Sequence, residues 1–183
     1  MITKASDVKH IIEKAICDPP QSFPAIMGLA CSEDWKEREV AATILVEASK
    51  KKSCEVIPEM ILWSEHPDPN VRRTASEGLR GVARKNPELV LPVLTKLKND
   101  PNTYVKKSVA NVLRNAGNYH PEFVMRVCEE WATEASPHTA WIIKDSLKKL
   151  RGEYTERVEE IVASSARAQH NNGMQRTRNQ AVS

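Results

Sequence analysis

Glycine is scarce in this sequence, with 6 residues in 183, and long apolar runs are missing. No uninterrupted apolar stretch approaches the roughly 20 residues that are needed to cross a bilayer. The chain does not open with a charged and then apolar leader of the kind that directs secretion. These absences argue against a membrane protein or a secreted protein, and we expect a cytoplasmic one.

Cysteine is also infrequent, and its spacing carries no motif. Cys17, Cys31, Cys54 and Cys128 lie far apart, without CxxC or Cys/His spacing. The histidines show no ligand spacing either, so we expect no metal site. Four reduced and mostly buried thiols are the predicted state, which is typical of a reducing compartment inside the cell.

Charge is distributed unevenly along the chain, although the net charge is only +3. Residues 71–118 hold 10 Lys and Arg against 3 Asp and Glu, whereas residues 1–70 hold 8 against 12. Basic charge is therefore concentrated in the middle of the chain, where it can act as a local field.

One sequence pattern recurs along the chain at a constant interval of 34 residues, which we call the repeat length. Pro58 recurs as Pro92, and Leu79 recurs as Leu113 at the same interval. Each unit contains two helical patterns, and the 11 prolines lie largely near predicted helix starts, which favours short connections between helices. A helix pair of this kind cannot cover its own apolar face and must stack on its neighbours.

We therefore predict an all-α fold, a right-handed α-α solenoid of about four repeats with terminal capping helices. Beyond Trp131 we place a slip of three residues in the register, so that Lys107 and Arg114 recur as Lys144 and Arg151. The second inner helix is predicted from residue 70 to about residue 85. The repeat domain is predicted over residues 1–166, and residues 167–183, which lack an apolar period, are predicted to form a disordered tail.

Stacking the inner helices converts single basic residues into columns. Positions seven apart on a helix lie close in azimuth, so two such columns line the same surface. A spaced row of cations on a curved surface suits nucleic-acid phosphates, although charged residues also simply mark the solvated side of a helix. The columns are Glu39, Arg73, Lys107, Lys144 and Val46, Arg80, Arg114, Arg151, with Arg72, Arg84 and Lys106 beside them.

The tryptophans fall into two groups. Trp63 and Trp131 occupy the buried end of outer helices and are predicted to pack in the core. Trp35 and Trp141 are predicted to sit just before inner helices, where Tyr104 also lies. These three aromatic residues either rim the groove and stack on a base or sugar, or pack against neighbouring helices.

Two carboxylates accompany the basic columns. Glu77 lies one helical turn from Arg73, and Glu39 occupies the matching column one repeat earlier. Each is either a structural ion pair or a catalyst. A positive groove that also presents a carboxylate to a developing sugar cation is the combination that glycosidic bond cleavage needs.

Three stretches carry a family resemblance, namely HPDPNVRRTASEGLRG (66–81), NPELVLPVL (86–94) and DPNTYVKKSVANVLRNAGNYHPEFV (100–124). The chain resembles, over about residues 33–152, the HEAT-like repeat proteins of DNA alkylation repair, the AlkC/AlkD type of glycosylase. The resemblance implies a HEAT-repeat solenoid that cradles alkylated duplex DNA in its concave face and releases N3- or N7-alkylated purines, without a metal or an organic cofactor.

Carried onto this sequence, the resemblance makes Glu77 and Glu39 the candidate catalytic acids. Asn115 stands where many relatives have an acid, and the tryptophan–aspartate pair of the other subfamily has no obvious counterpart. We expect a DNA-binding monomer of alkylation repair; the alternative is a non-catalytic scaffold that holds an acidic protein partner in the same groove. The predicted DNA-binding residues are Arg72, Arg73, Arg80, Arg84, Lys106, Lys107, Asn111, Arg114, Lys144, Arg151, Tyr104 and Trp141.

Overall fold

The computed structural model describes the backbone of residues 5–133 and 135–180 and the side chains of residues 8–133 and 135–169. Over those backbone ranges the chain is helical and contains no strand, and none of its helices is long and apolar enough to cross a membrane. The elements are α1 (Ala5–Cys17), α2 (Pro19–Ala30), α3 (Trp35–Trp63), α4 (Pro69–Glu77), α5 (Arg80–Ala83), a 3₁₀ helix (Pro87–Val90), α6 (Leu91–Leu97), α7 (Thr103–Gly117), α8 (Pro121–Ala132), α9 (Pro137–Ser146) and α10 (Thr155–Gln180).

The long helix α3 joins two repeats without a loop. Lys52 has non-helical backbone angles, φ −130° and ψ 44°, so residues 35–51 form the inner helix of the first repeat. Residues 53–63 form the outer helix of the second. The inner helices then stack in the order α3, α4, α7 and α9, with α7 packed between α4 and α9. The predicted all-α solenoid of helical repeats is confirmed.

Each inner helix begins with a polar cap, and successive caps are separated by one repeat length. Asp34 accepts a hydrogen bond from the Lys36 amide at 2.9 Å, and Asp68 accepts one from the Asn70 amide at 2.8 Å. Such caps satisfy amide groups that the first helical turn leaves unpaired. The next caps in the series are Asn102 and Ser136.

The constant cap spacing shows that the predicted slip of three residues in the fourth repeat is wrong. Ile142 and Ile143 are both fully buried, as is Leu147, while Leu150 is nearly so. The apolar pattern of α9 therefore fits two registers, and only the capping residue distinguishes them. In the true register Trp141, rather than Lys144, follows Lys107.

The second inner helix is interrupted where the sequence predicts a continuous helix from residue 70 to about residue 85. Its segments α4 and α5 are separated at Gly78, whose carbonyl oxygen accepts a hydrogen bond from the Ser49 hydroxyl at 2.8 Å. A Cβ atom at Gly78 would lie only 2.5 Å from the Leu45 Cβ. The missing side chain at Gly78 therefore allows the first two inner helices to approach closely, just before Arg80.

The core runs along the stack of repeats. Trp63 and Trp131 are 2% and 3% exposed, which confirms the prediction that both pack in the core. The prediction of mostly buried thiols is wrong, because Cys17, Cys31 and Cys54 are exposed and only Cys128 of the four is buried. Cys17 ends α1 and Cys31 follows α2, so these two thiols lie where the chain leaves a helix.

The last helix, α10, runs from Thr155 to Gln180, so the backbone of residues 167–180 is helical where the sequence predicts disorder. That prediction was based on the missing apolar period. An apolar period is needed for packing against the repeats, but a helix closes its own backbone hydrogen bonds without one. The boundary of the repeat domain at residue 166 remains a prediction, and residues 181–183 lie outside the described residues.

Candidate nucleic-acid interface

An open cleft of about 730 Å³ lies along the inner helices α4, α7 and α9, and we call it the main cleft. It brings together residues from three successive repeats that the sequence predicts for the interface. Half of the predicted site residues line it, namely Arg73, Glu77, Tyr104, Lys107, Asn111, Arg114 and Trp141.

Four further residues line the main cleft and were not predicted, namely Ser108, Asp145, Lys148 and Lys149. Asp145 follows Asn111 by one repeat length, and Lys148 follows Arg114 by the same interval. The unbroken register would therefore have identified both. Lys144 and Arg151, which the slipped register placed in the columns, are exposed but do not line the main cleft.

Asp145 is held in place by two cations on the floor of the main cleft. The Arg114 Nη1 atom donates to Asp145 Oδ2 at 2.5 Å, and Lys148 forms a second ion pair with Oδ1. Burial by itself would raise the pKa of Asp145, but the hydrogen bonds and positive charges of Lys148 and Arg114 hold that pKa below its ordinary value. With 13% of its side chain exposed, Asp145 presents an ionised carboxylate to the cleft.

A tryptophan and an aspartate meet in the main cleft, because Trp141 lies one helical turn before Asp145 on α9. The absence of a counterpart to the tryptophan–aspartate pair of the other subfamily stays a prediction. The slipped register had assigned Lys144 to the position that Trp141 occupies. The true register places Trp141 beside the carboxylate.

Two aromatic rings flank the main cleft and are accessible. Tyr104 is 66% exposed and Trp141 is 36% exposed. The Lys107 ammonium lies 5.9 Å from the Tyr104 ring centroid, and the Lys106 ammonium lies 5.7 Å from the Trp141 ring centroid. These positions favour the rim interpretation over packing for both rings. Trp35 is also exposed but does not line the main cleft.

Glu77 lies on the wall of the main cleft, with 11% of its side chain exposed, and is not sealed in the core. Its Oε2 atom lies 3.4 Å from the Arg80 Nη1 atom. Burial raises the pKa of Glu77 above its ordinary value, against the lowering effect of the Arg80 and Arg73 charges and of the Asn111 side chain. Glu77 therefore holds its proton more tightly than Asp145 does.

Glu39, the second predicted catalytic acid, does not line the main cleft. Its side chain is 53% exposed, and its Oε2 atom lies 3.2 Å from the Arg73 Nη2 atom. Glu39 is therefore a counter-ion of a cleft cation, which is the structural alternative to its predicted catalytic role.

Arg72 points into the framework of the repeats, in contrast to the predicted phosphate contact. Its Nε atom donates to Asp100 Oδ2 at 2.6 Å, and its Nη1 atom donates to the carbonyl oxygens of His66 and Pro67 at 2.9 and 2.8 Å. These bonds join the turn before α4 to the next repeat. The geometry thus gives Arg72 a role in stacking the repeats.

A smaller cleft of about 530 Å³ adjoins the main cleft, and we call it the second cleft. Asn111 lines both clefts, whereas Asn115 lines only the second and donates its amide to the Asn111 side chain at 3.0 Å. The second cleft brings together two further predicted residues, Arg80 and Arg84.

Helix pairs that stack at a constant interval along the chain define an α-solenoid repeat protein. The chain belongs to the HEAT-repeat family, because the family model described as HEAT repeats matches residues 23–114. No curated protein matches this chain in sequence.

Solved structures resemble the chain in fold, and one of them is an alkylpurine DNA glycosylase bound to DNA. The alkylpurine DNA glycosylase AlkC of Pseudomonas fluorescens, bound to DNA with an abasic site analogue, has a TM-score of 0.69 and 28% identity, and the match covers 84% of this chain and 44% of AlkC. AlkD2 of Streptococcus mutans has a TM-score of 0.66 and 25% identity, over 78% of this chain and 70% of AlkD2. A second S. mutans structure, smu.31, has a TM-score of 0.65 and 26% identity, over 78% and 73% of the two chains.

These similarities confirm the resemblance to the HEAT-like repeat proteins of alkylation repair that the sequence motifs indicate. The chain spans less than half the length of AlkC and about seven tenths of AlkD2.

Proposed function

We propose that this protein binds alkylated duplex DNA in its main cleft and releases N3- or N7-alkylated purines, as an N-alkylpurine DNA glycosylase. The observation that carries the proposal is the placement of an ionised Asp145 beside Trp141 among the cleft cations. The similarity to AlkC, whose structure contains DNA with an abasic site analogue, supports the same assignment.

The cations of the main cleft are suited to the DNA backbone. Arg73, Lys107 and Lys149 line it, and such cations bind DNA phosphates whatever the base sequence. Lys107 is exposed and contacts the Tyr104 ring rather than a carboxylate. Tyr104 and Trp141 supply faces on which a sugar or a base can lie.

The chemistry needs little more than this arrangement. An N3- or N7-alkylated purine already carries positive charge, so the bond between C1′ and N9 breaks with both electrons leaving on a neutral base. The deoxyribose becomes an oxocarbenium-like cation, which a fixed carboxylate stabilises. Water then adds to C1′ and gives up a proton, and Asp145 is the ionised group placed to accept it.

Glu77 is the second carboxylate in this proposal and Glu39 has no part in the chemistry. Glu77 lines the same cleft as Asp145, where its negative charge adds to the field at the sugar. Its ion pair with Arg80 holds it on the wall. We further propose that the protein acts as a monomer in the bacterial cytoplasm, where the chromosomal DNA lies. The repeat domain of residues 1–166 carries this function.

A base-release assay tests the proposal. Duplex DNA treated with a methylating agent is incubated with the full chain, and free 3-methyladenine and 7-methylguanine are measured beside an unmodified duplex. We expect release only from the methylated duplex. Asp145→Asn is expected to lower the release rate by about a hundredfold or more, as loss of a preorganised electrostatic group does, and not to weaken DNA binding, because it removes a negative charge from the cleft.

Glu77→Gln is expected to lower the release rate by a smaller factor than Asp145→Asn does. Glu156→Gln, in an exposed carboxylate of α10, is the matched control and should release base at the wild-type rate. If the protein binds the methylated duplex but releases no alkylated base, it is a DNA-binding protein and the proposed glycosylase activity is wrong. Displacement of DNA by an acidic peptide, but not by random duplex, would favour the scaffold for an acidic protein partner.

A further inference from the structure

The second cleft is basic and is built from the C-terminal ends of inner helices. Lys50 comes from the first inner helix, and Arg80 and Arg84 come from the second. Glu47 is its one carboxylate among the described lining residues, and it pairs with Lys50 at 2.5 Å. The cleft therefore carries an excess of positive charge.

The Lys50 side chain packs against the backbone of Gly81 in this cleft. A Cβ atom at Gly81 would lie 2.7 Å from Lys50 Cε and 2.8 Å from Lys50 Cγ. The Lys50 stem thus runs over the bare backbone of Gly81, and any larger residue would displace it. With 37% of its side chain exposed, Lys50 presents its ammonium at the surface of the second cleft.

The Arg84 guanidinium is oriented by a tyrosine of the next repeat. Its Cζ atom lies 4.9 Å from the Tyr119 ring centroid, and its Nη2 atom donates to the Tyr119 hydroxyl at 2.5 Å. Neither contact neutralises the charge. Arg84 is exposed, so its remaining donors face solvent at the rim of the second cleft.

We propose that the second cleft is a phosphate subsite, in which Lys50 and Arg84 hold a phosphodiester of the DNA whose nucleotide occupies the main cleft. This inference rests on the proposed function and deepens it. Asn111 lines both clefts and Arg80 pairs with Glu77 at their boundary, so the two sites are contiguous. A backbone that leaves the main cleft at Asn111 enters the second cleft directly.

The chemistry of the second cleft fits a phosphate better than a base. Its lining contains no aromatic side chain among the described residues, whereas Tyr104 and Trp141 line the main cleft. It offers the Lys50 ammonium and the Arg84 guanidinium, and a phosphate requires cationic donors of this kind. Cations near helix C-termini also stabilise the helix through its dipole. Removing them would therefore lower protein stability even without a subsite, so the test must measure DNA affinity.

Salt-dependent binding of an unmodified duplex of about 20 base pairs tests the subsite without involving catalysis. The Kd is measured by fluorescence anisotropy at several NaCl concentrations for the wild type and for the double variant Lys50→Gln, Arg84→Gln. Loss of one phosphate contact lowers the slope of log K against log salt by about 0.9 and, near 0.1 M salt, weakens binding about eightfold. We expect both changes in the double variant.

Two controls separate the subsite from the general field of the protein. Lys85→Gln removes an exposed cation next to Arg84 that does not line the second cleft, and it should change the Kd by less than twofold. Tyr119→Leu removes the support of Arg84 without changing net charge and should weaken binding about two- to fivefold, as loss of an exposed cation–π contact does. Circular dichroism checks that each variant is folded.

The outcomes are distinct. The subsite would be overturned if the double variant bound DNA with the affinity and salt slope of the wild type. It would also be overturned if Lys85→Gln lost as much affinity as the double variant. Either result leaves DNA binding and base release by the wild type, and therefore the proposed function, intact. A wild type that binds no duplex at low salt would overturn both the subsite and the proposed function. A wild type that binds DNA but releases no alkylated base would overturn only the glycosylase.

Discussion

Arg114 and Asp145 are joined across two repeats by a hydrogen bond of 2.5 Å between Nη1 and Oδ2 on the floor of the main cleft. Arg114 also donates to the Asn111 side chain at 3.1 Å, so its guanidinium links three positions of the cleft. This cation fixes the position of Asp145 and keeps it ionised.

The acid limb of the pH–rate profile is expected to depend on Arg114. The pKa of Asp145 lies below its ordinary value, so the wild type keeps its carboxylate ionised, and its base-release activity, as the pH falls towards that lowered pKa. Arg114→Gln removes a charge that lowers this pKa. The acid limb should therefore move to higher pH, measured as base release between about pH 4 and pH 8. An unchanged limb would contradict the assignment of Asp145.

The Glu39–Arg73 ion pair is expected to compete with DNA. A phosphate that binds Arg73 must displace Glu39, which is exposed and separated from the Arg73 guanidinium by 3.2 Å. Glu39→Gln should tighten binding of an unmodified duplex about two- to fivefold, the range expected for a surface ion pair. Glu33→Gln, which removes an equal charge from the turn before α3, is the control. Weaker binding by Glu39→Gln would show that the carboxylate supports the interface.

Charge reversal in the main cleft is expected to abolish DNA retention. Arg73→Glu with Lys107→Glu removes two phosphate contacts, which at about 0.1 M salt corresponds to a loss of at least about fiftyfold in affinity. Lys9→Glu with Lys14→Glu makes the same change of charge on α1 and should bind nearly as the wild type does. Electrophoretic mobility of a labelled duplex measures both pairs. An equal loss in the two would mean that only net charge matters.

Gly78 is expected to be essential for the contact between the first two inner helices. Gly78→Ala places a Cβ atom 2.5 Å from the Leu45 Cβ and should lower the free energy of unfolding by about 1–3 kcal/mol, as overpacking does. Gly28→Ala adds a methyl group in α2 that meets no atom within 4 Å beyond its chain neighbours and its own helix backbone, and should be neutral or stabilising. Thermal melts followed by circular dichroism compare the two. Equal melting temperatures would contradict the close approach.

The last repeat illustrates which features could be predicted from local pattern and which could not. The spacing of Pro58, Pro92, Leu79 and Leu113 predicts the repeat unit, because apolar periodicity is a local property of each helix. The apolar residues of α9 fit two registers equally well, so Asp145 and Lys148 were missed.

The sequence by itself determined that this protein is an α-solenoid of HEAT repeats with its cations concentrated in the central units. Helix periodicity and composition are local properties of the sequence, so neither requires the folded structure. Only the tertiary structure decided the role of each charge. Arg72 and Arg73 are neighbours of identical chemistry, yet Arg72 is bound to Asp100 of the following repeat and Arg73 pairs with Glu39 of the preceding one. A side chain's partner depends on distances between repeats, and those distances exist only after the helices have stacked.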